Sequence, residues 1–218
     1  MLREATRRVG VSARAAYRHF ADRDALVQAV AEEALAKMAT WMARRQRGAR
    51  TAADLLRGVG EGYIAFALDE PGWFDVAVLA MPDMLSALPD GPEVVDRLDA
   101  AGPPGAANGR AGSGALGGSG RAARRTGSRS QMTIDAMVMD QVDRSPCGLL
   151  LGALAGLARE GALDPDRLPE AAVTCWSGVH GFAVLASRGP LRHAPRAVID
   201  DYARRHVRAL VAAVTSGR

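Results

Sequence analysis

The sequence predicts an all-α protein, and three observations predict it. Apolar residues recur at steps of three and four from Leu26 to Trp41, from Leu55 to Phe66, from Leu149 to Leu157 and again toward the end of the chain, the spacing that one face of a helix requires. Strand-like alternation is absent throughout. Ser, Thr and Asp stand where the periodic runs begin, and Gly and Pro stand where they end. At 218 residues and 48% hydrophobic content the chain can bury a core, as one large domain or as a small domain docked on a larger one.

Taken in order, Arg3 to Val9 reads as a short helix stopped by Gly10, because glycine accepts the left-handed conformation that a helix end often needs. Ser12 can cap a second helix running from Ala13 to Phe20, its hydroxyl meeting a free N–H of the first turn. Asp22 can cap a longer third helix in which Leu26, Val30, Ala34, Met38, Trp41 and Met42 form an apolar stripe directed at the domain behind it. Thr51 caps a further helix carrying Leu55, Leu56, Val59, Tyr63, Ile64 and Phe66, ended by Asp69-Glu70-Pro71-Gly72. A short helix from Trp73 to Met81 follows, and Pro82, Pro89 and Pro92 restrict what comes next to short pieces. Helical patterning returns at Leu149 to Leu157 before Gly161, then over Ala171 to Ser187 and Ala197 to Val214.

Residues 101–131 break the pattern. They hold nine of the 24 glycines and five arginines with no acid, and Leu116 is their one large aliphatic residue, so burial cannot offset the entropy of ordering them; a disordered loop is expected. Its length inside a compact domain needs a cause. Two fit: a genuine flexible insertion, or a shifted reading frame in GC-rich DNA with the original frame resuming between Met132 and Pro146, which resequencing separates.

Composition narrows the function. Cys147 and Cys175 are isolated, with no CxxC and no His/Cys cluster, which argues against a disulfide framework and a metal site and suits a reducing cytoplasm. No apolar run approaches the roughly 20 residues that cross a bilayer, and the charged N-terminus is unlike a signal peptide, so no membrane partner is expected. The net charge is +4, and residues 1–20 hold as large a surplus by themselves, with Arg3, Arg7, Arg8, Arg14 and Arg18 against Glu4. A polyanion could meet that segment, although a solvated basic face has the same composition. An enzyme is not expected: GxSxG, P-loop and HExxH patterns are missing, no GxGxxG opens a βαβ unit, and the adjacent acids Glu32-Glu33 and Asp200-Asp201 point in different directions on a helix. No cofactor is implied.

The segment GVSARAAYRHFADRDALVQAV, Gly10 to Val30, has small residues (Ala13, Ala15, Ala16) where a helix would meet base edges, and donors (Ser12, Arg14, Tyr17, Arg18) where it would meet phosphates. It resembles the helix-turn-helix of the TetR family of transcriptional regulators: a GVS turn, a short recognition helix ending in YxHF, and an acid-led next helix. The resemblance implies phosphate contacts from Tyr17 and His19, a groove-facing set of Arg14, Ala15 and Arg18 with Ser12 at the cap, and packing roles for Val11 and Phe20. Downstream, CWSGVHGFAVLASRGPLR, Cys175 to Arg192, resembles the end of the ligand-binding domain in the TetR branch with a WxxxHG motif. SPCGLLLGALAGLAREGAL resembles the helix before it.

That resemblance implies a helix-turn-helix domain over 1–45 and a helical ligand-binding and dimerisation domain over 46–218. The last two helices, about 169–187 and 195–215, would form a four-helix bundle on a two-fold axis. The partners implied are a palindromic operator in double-stranded DNA, a second copy of the chain, and a small apolar effector. Trp176, Val179, Phe182, Ala183 and Leu185 give one apolar face and Tyr202, Val207, Leu210 and Val214 another, compatible with either a dimer or an internal core; Gly178 and Gly181 would allow close helix approach. A pocket would be lined by Tyr63, Phe66, Trp73 and Phe74, continued by Met81 and Met84, and closed by Trp176 and His180, although the same spacing suits plain core.

The chain departs from the family pattern at its start, where a first helix of about 15–20 residues would precede Leu2; a start codon farther upstream is the expectation. The expected function is a cytoplasmic repressor released from DNA by its effector. The rival is a helical, dimeric ligand-binding protein that has lost specific DNA binding.

Overall fold

The computed structural model describes residue 10, residues 18–79 and residues 144–216, and all of its regular structure is helical: no strand occurs among the described residues. Six α-helices follow one another: α1 Arg23–Arg45, α2 Ala52–Asp69, α3 Pro71–Leu79, α4 Pro146–Arg159, α5 Leu168–Ser187 and α6 Arg196–Thr215. Short 3₁₀ turns, Pro165–Arg167 and Pro190–His193, lead into α5 and α6. The loop expected at 101–131 lies outside the described residues.

The caps follow the local chemistry. Asp22 Oδ1 accepts from the Ala25 N–H at 2.8 Å, and Thr51 Oγ1 accepts from the Asp54 N–H at 3.1 Å. Each closes one of the donors that a helix start leaves open. Ser145 caps α4 in the same way, at 3.0 Å from the Gly148 N–H, with Pro146 at the first helical position, where its missing N–H costs nothing. Gly161 ends α4 at φ 68°, and the Ala162 N–H reaches back to the Leu157 carbonyl at 2.8 Å, the Schellman arrangement. Gly10 has φ 72°, the left-handed geometry expected of a helix stop.

Helix α2 is the axis of the molecule and packs against all five others. Eleven of its 18 residues are buried, so it cannot have a solvent face of the usual width. Its three alternate glycines make this possible. Gly58 and Gly62 are one turn apart and face α1, where an added Cβ would sit 2.8 Å from the Arg45 carbonyl oxygen and 2.5 Å from Met42 Cα. Gly60, about 200° around the helix, faces α6, where a Cβ would meet Val207 at 3.0 Å. Glycine costs a helix about 1 kcal/mol relative to alanine, and here that cost is offset by close backbone approach on two sides.

Three expectations about faces are corrected. The stripe on α1 is buried only from Ala31 onward; Val30 is 37% exposed, since α2 and α3 lie against the later turns. On α6, Val207 and Val214 are buried but Tyr202 is 54% exposed, because five residues correspond to about 140° of helix and place Tyr202 away from Val207. Likewise on α5, Val179 and Ala183 point inward while Leu185 is 46% exposed.

Polar ties fix the ends of the helices. Glu160 accepts from the Ala52 N–H at 2.9 Å, setting a carboxylate at the start of α2, where the helix dipole favours it. Arg196, at the start of α6, holds Asp69 through two N–H groups at 2.6 and 3.2 Å and Asp200 at 2.8 Å, so both carboxylates raise its pKa. Arg188 pairs with Asp75 and donates to the Pro71 carbonyl at 3.4 Å. The α5–α6 hairpin thus grips α3 and the end of α2 from outside. Exposed pairs of this kind contribute about 0–1 kcal/mol each, so they orient more than they stabilise.

Candidate functional site

Four rings from three helices meet at one place. Tyr63 of α2 lies edge-on to Phe74 of α3, with centroids 5.5 Å apart, and to Trp176 of α5, at 5.2 Å. His180, one turn after Trp176, is 6.0 Å from Phe74 with planes 30° apart. The WxxxH spacing supplies the last two: residues four apart share a helix face, so both rings project toward α2 and α3. The Tyr63 hydroxyl and His180 Nδ1 are hydrogen-bonded at 2.9 Å, and the role of donor depends on the imidazole tautomer. Burial raises the Tyr63 pKa, which keeps the phenol neutral.

Beside this cluster, between α2, α5 and α6, lies a cavity of about 20 Å³. Tyr63 and Trp176 form part of its wall, and Leu56, Cys175, Val179 and Val207 complete it without a charged side chain. That volume admits one water-sized body, far below the several hundred Å³ typical of ligand pockets. A larger groove, about 500 Å³, runs past Leu35, Ala39 and Leu149 between α1 and the start of α4, close to Arg144, where the described residues resume.

The other residues singled out from sequence are placed separately. Phe66 is fully buried but faces Trp41 of α1 at 6.3 Å, and Trp73 carries the Lys37 ammonium 5.0 Å from its ring centroid. Both therefore join the body to α1 rather than to the ring cluster. Met81 and Met84 lie outside the described residues, as do Ser12, Arg14, Ala15 and Tyr17. Arg18 and His19 are exposed, just ahead of the Asp22 cap of α1. Sequence reasoning missed Lys37 and Cys175 as neighbours of the aromatic residues; their partners come from other helices, so no local pattern announces them. It also missed His206, which stacks on Phe182 at 5.4 Å and meets the Gly178 carbonyl at 3.0 Å.

Comparison with known families adds one finding. Residues 123–210 match the family model of the tetracyclin repressor-like, C-terminal domain. The match takes in α4, α5 and most of α6, and it begins inside the glycine- and arginine-rich stretch, upstream of Met132. Of the two halves of the family resemblance, this is the ligand-domain half. No curated protein and no solved structure gives a significant match. Among the described residues no helix is long and apolar enough to cross a membrane, and no group of three or more His, Cys, Asp or Glu residues is placed to hold a metal ion.

The buried thiol beside the cavity gives the site a pH signature. Burial pushes Cys175 from 9.0 up to about 11, and Cys147 and Tyr63 shift in the same direction. A raised folded-state pKa means that the fold favours the protonated form. Its contribution is therefore complete below pH 9 and lost as pH climbs through 11, by ~2–3 kcal/mol for Cys175. Urea midpoints at pH 8 and pH 10.5 are expected to differ more for the native chain than for Cys175→Ala; equal differences would show that the thiol does not carry the effect.

Proposed function

We propose that the chain is a TetR-like DNA-binding transcriptional regulator, a homodimer that represses from a palindromic operator and is released by a small apolar effector. The observation that carries this reading is the tetracyclin repressor-like C-terminal match over 123–210. Its described part, residues 144–210, sits in one helical body with α1, and the Gly10–Val30 motif runs into that helix. In this reading residues 1–45 form the DNA-reading domain, with Ser12, Arg14, Ala15, Tyr17, Arg18 and His19 toward DNA. Residues 46–218 bind effector and dimerise, with Tyr63, Phe66, Trp73, Phe74, Met81, Met84, Trp176 and His180 at or near the effector, and the protein works in the cytoplasm.

Two features of the body support it. The outer side of α5 presents Val173, Ser177, Gly181, Val184 and Leu185 at steps of three and four, and that of α6 presents Val198, Tyr202 and Ala209, with Arg205 between the last two, all exposed. Such apolar seams on two neighbouring helices are what a four-helix bundle between two copies would bury. Helix α1 also belongs to both parts: its first turns follow the motif, and its later turns hold Met38 and Met42 fully buried against α2. An effector that shifts α3 acts on α1 through Trp73 and Lys37, and a change in α1 alters the separation of two recognition helices that must span about 34 Å.

The test is fluorescence anisotropy of the purified chain on DNA from upstream of its own gene and on a shuffled control, at low and moderate salt. Tight binding that prefers the native fragment is expected, and Arg18→Ala should weaken it with a shallower salt slope. Equal, steeply salt-dependent binding to both DNAs would reduce the head to a basic patch, and no binding at all would favour the rival, a ligand-binding dimer without an operator.

A further inference from the structure

We propose that the effector is an uncharged aromatic molecule bearing one hydroxyl, taken up at the ring cluster by insertion into the Tyr63–His180 hydrogen bond; this rests on the regulator reading above. Charge is excluded first. The cavity wall beside the cluster holds no Asp, Glu, Lys or Arg, and an ion brought there would lose its hydration without a partner. Shape comes next. Tyr63 meets Phe74 and Trp176 edge-on, and Phe74 and His180 lie within 30° of parallel at 6.0 Å, so a flat ring entering between them finds π-faces and edges already oriented.

The hydroxyl follows from the polar pair. A phenol and an imidazole nitrogen can each donate or accept, depending on tautomer and rotor, and in the closed protein they satisfy one another at 2.9 Å. A ligand hydroxyl, itself donor and acceptor, can enter between them and replace one hydrogen bond by two. A hydrocarbon that wedges the pair apart leaves both atoms unsatisfied, and a carbonyl, an acceptor only, serves both of them only in the tautomer that carries the proton on Nδ1, whereas a hydroxyl serves them in either.

Room for the ring comes from movement. The present cavity holds about one water, and α3 is the nine-residue element that covers Tyr63 with Phe74. From outside, α3 is held by the exposed pair Arg188–Asp75 and the weak bond from Arg188 to the Pro71 carbonyl. Displacing α3 opens the cluster toward the cavity and carries Trp73 with it. The recognition of one hydroxyl is in this way tied to α1.

The experiment measures equilibrium binding of three probes of one shape to the full chain at pH 7: 2-naphthol, 2-naphthoate and 2-methylnaphthalene. The naphthol is expected to bind about tenfold tighter than the hydrocarbon, the equivalent of one net hydrogen bond, and the naphthoate weakest. Tyr63→Phe keeps the ring and leaves His180 as the one polar partner, so the naphthol's advantage over the hydrocarbon should fall from about tenfold to about threefold. His180→Phe is the second variant, expected to do the same, and circular dichroism melting confirms that each folds. Tightest binding of the naphthoate, a naphthol-to-hydrocarbon affinity ratio unchanged in both folded variants, or no binding of any probe would overturn the proposal. Operator anisotropy without probe, on the same preparation, separates the two readings: operator binding without naphthol binding sinks this inference alone, and naphthol binding without operator binding sinks the regulator alone.

Discussion

Gly62→Ala is expected to be among the most damaging single-atom-scale changes in the protein, lowering unfolding free energy by ~2 kcal/mol. The added methyl carbon would lie 2.5 Å from Met42 Cα, 2.8 Å from Met42 N and 2.9 Å from the Trp41 carbonyl oxygen. Unstrained carbon contacts fall near 3.5–4.0 Å, and all three neighbours are backbone, so no rotamer change gives relief. Helices α1 and α2 must move apart, loosening Met38, Met42 and Phe66, each of which has no exposed surface. Overpacking of a tight core typically costs about 1–3 kcal/mol, and this contact is at the upper end, from which the helix-propensity gain of about 1 kcal/mol is subtracted. Gly152→Ala is the control. It is also helical, nothing lies within 4 Å of its added carbon, and it should stabilise by about 0.5–1 kcal/mol. Urea denaturation of the three proteins reads the difference, and a Gly62→Ala protein as stable as the native chain would show that α2 does not need its glycine.

If the chain dimerises through α5 and α6 as proposed, the double substitution Leu185→Glu, Tyr202→Glu is expected to leave it a monomer. Both side chains are exposed in the single chain, so the fold gains no buried charge and far-ultraviolet circular dichroism should not change. In an interface related by a two-fold axis each substitution occurs twice, and four carboxylates would be carried into a largely apolar seam at a high desolvation cost. Sedimentation equilibrium should show the mass halved, and operator affinity should fall by about a hundredfold or more, since a head that binds one half-site loses the contribution of its twin. A double variant that still sediments as a dimer would place the interface elsewhere.

The contrast between Tyr63 and Phe66 shows why the candidate site was only partly legible. Tyr63, Trp176 and His180 could be singled out because their spacing puts rings on inward faces, and the structure brings them together with Phe74. Phe66 has the same spacing signal and the same burial, yet it meets Trp41 of α1. Three residues separate it from Tyr63, which places the two about 60° apart around α2, enough to exchange one neighbouring helix for another. Periodicity says that a residue is inside without saying whom it meets. The partner depends on crossing angles, and those are set by side chains more than a hundred positions away, as in the Tyr63–His180 bond.

The sequence by itself determined the class and most of the helix boundaries. Capping is local: Asp22 and Thr51 act on N–H groups three residues ahead, and Gly161 acts through its own φ, so a reader of residues within one turn finds them. Tertiary structure alone decided which apolar residues were left outside. Tyr202 and Val207 look equally hydrophobic in sequence, and only the position of α5 and α2 shows that one is core and the other surface. It also decided what the alternate glycines of α2 are for. A glycine in a helix reads as a weakness until two other backbones are seen to lie against it, because close approach is a property of the pair and not of the segment.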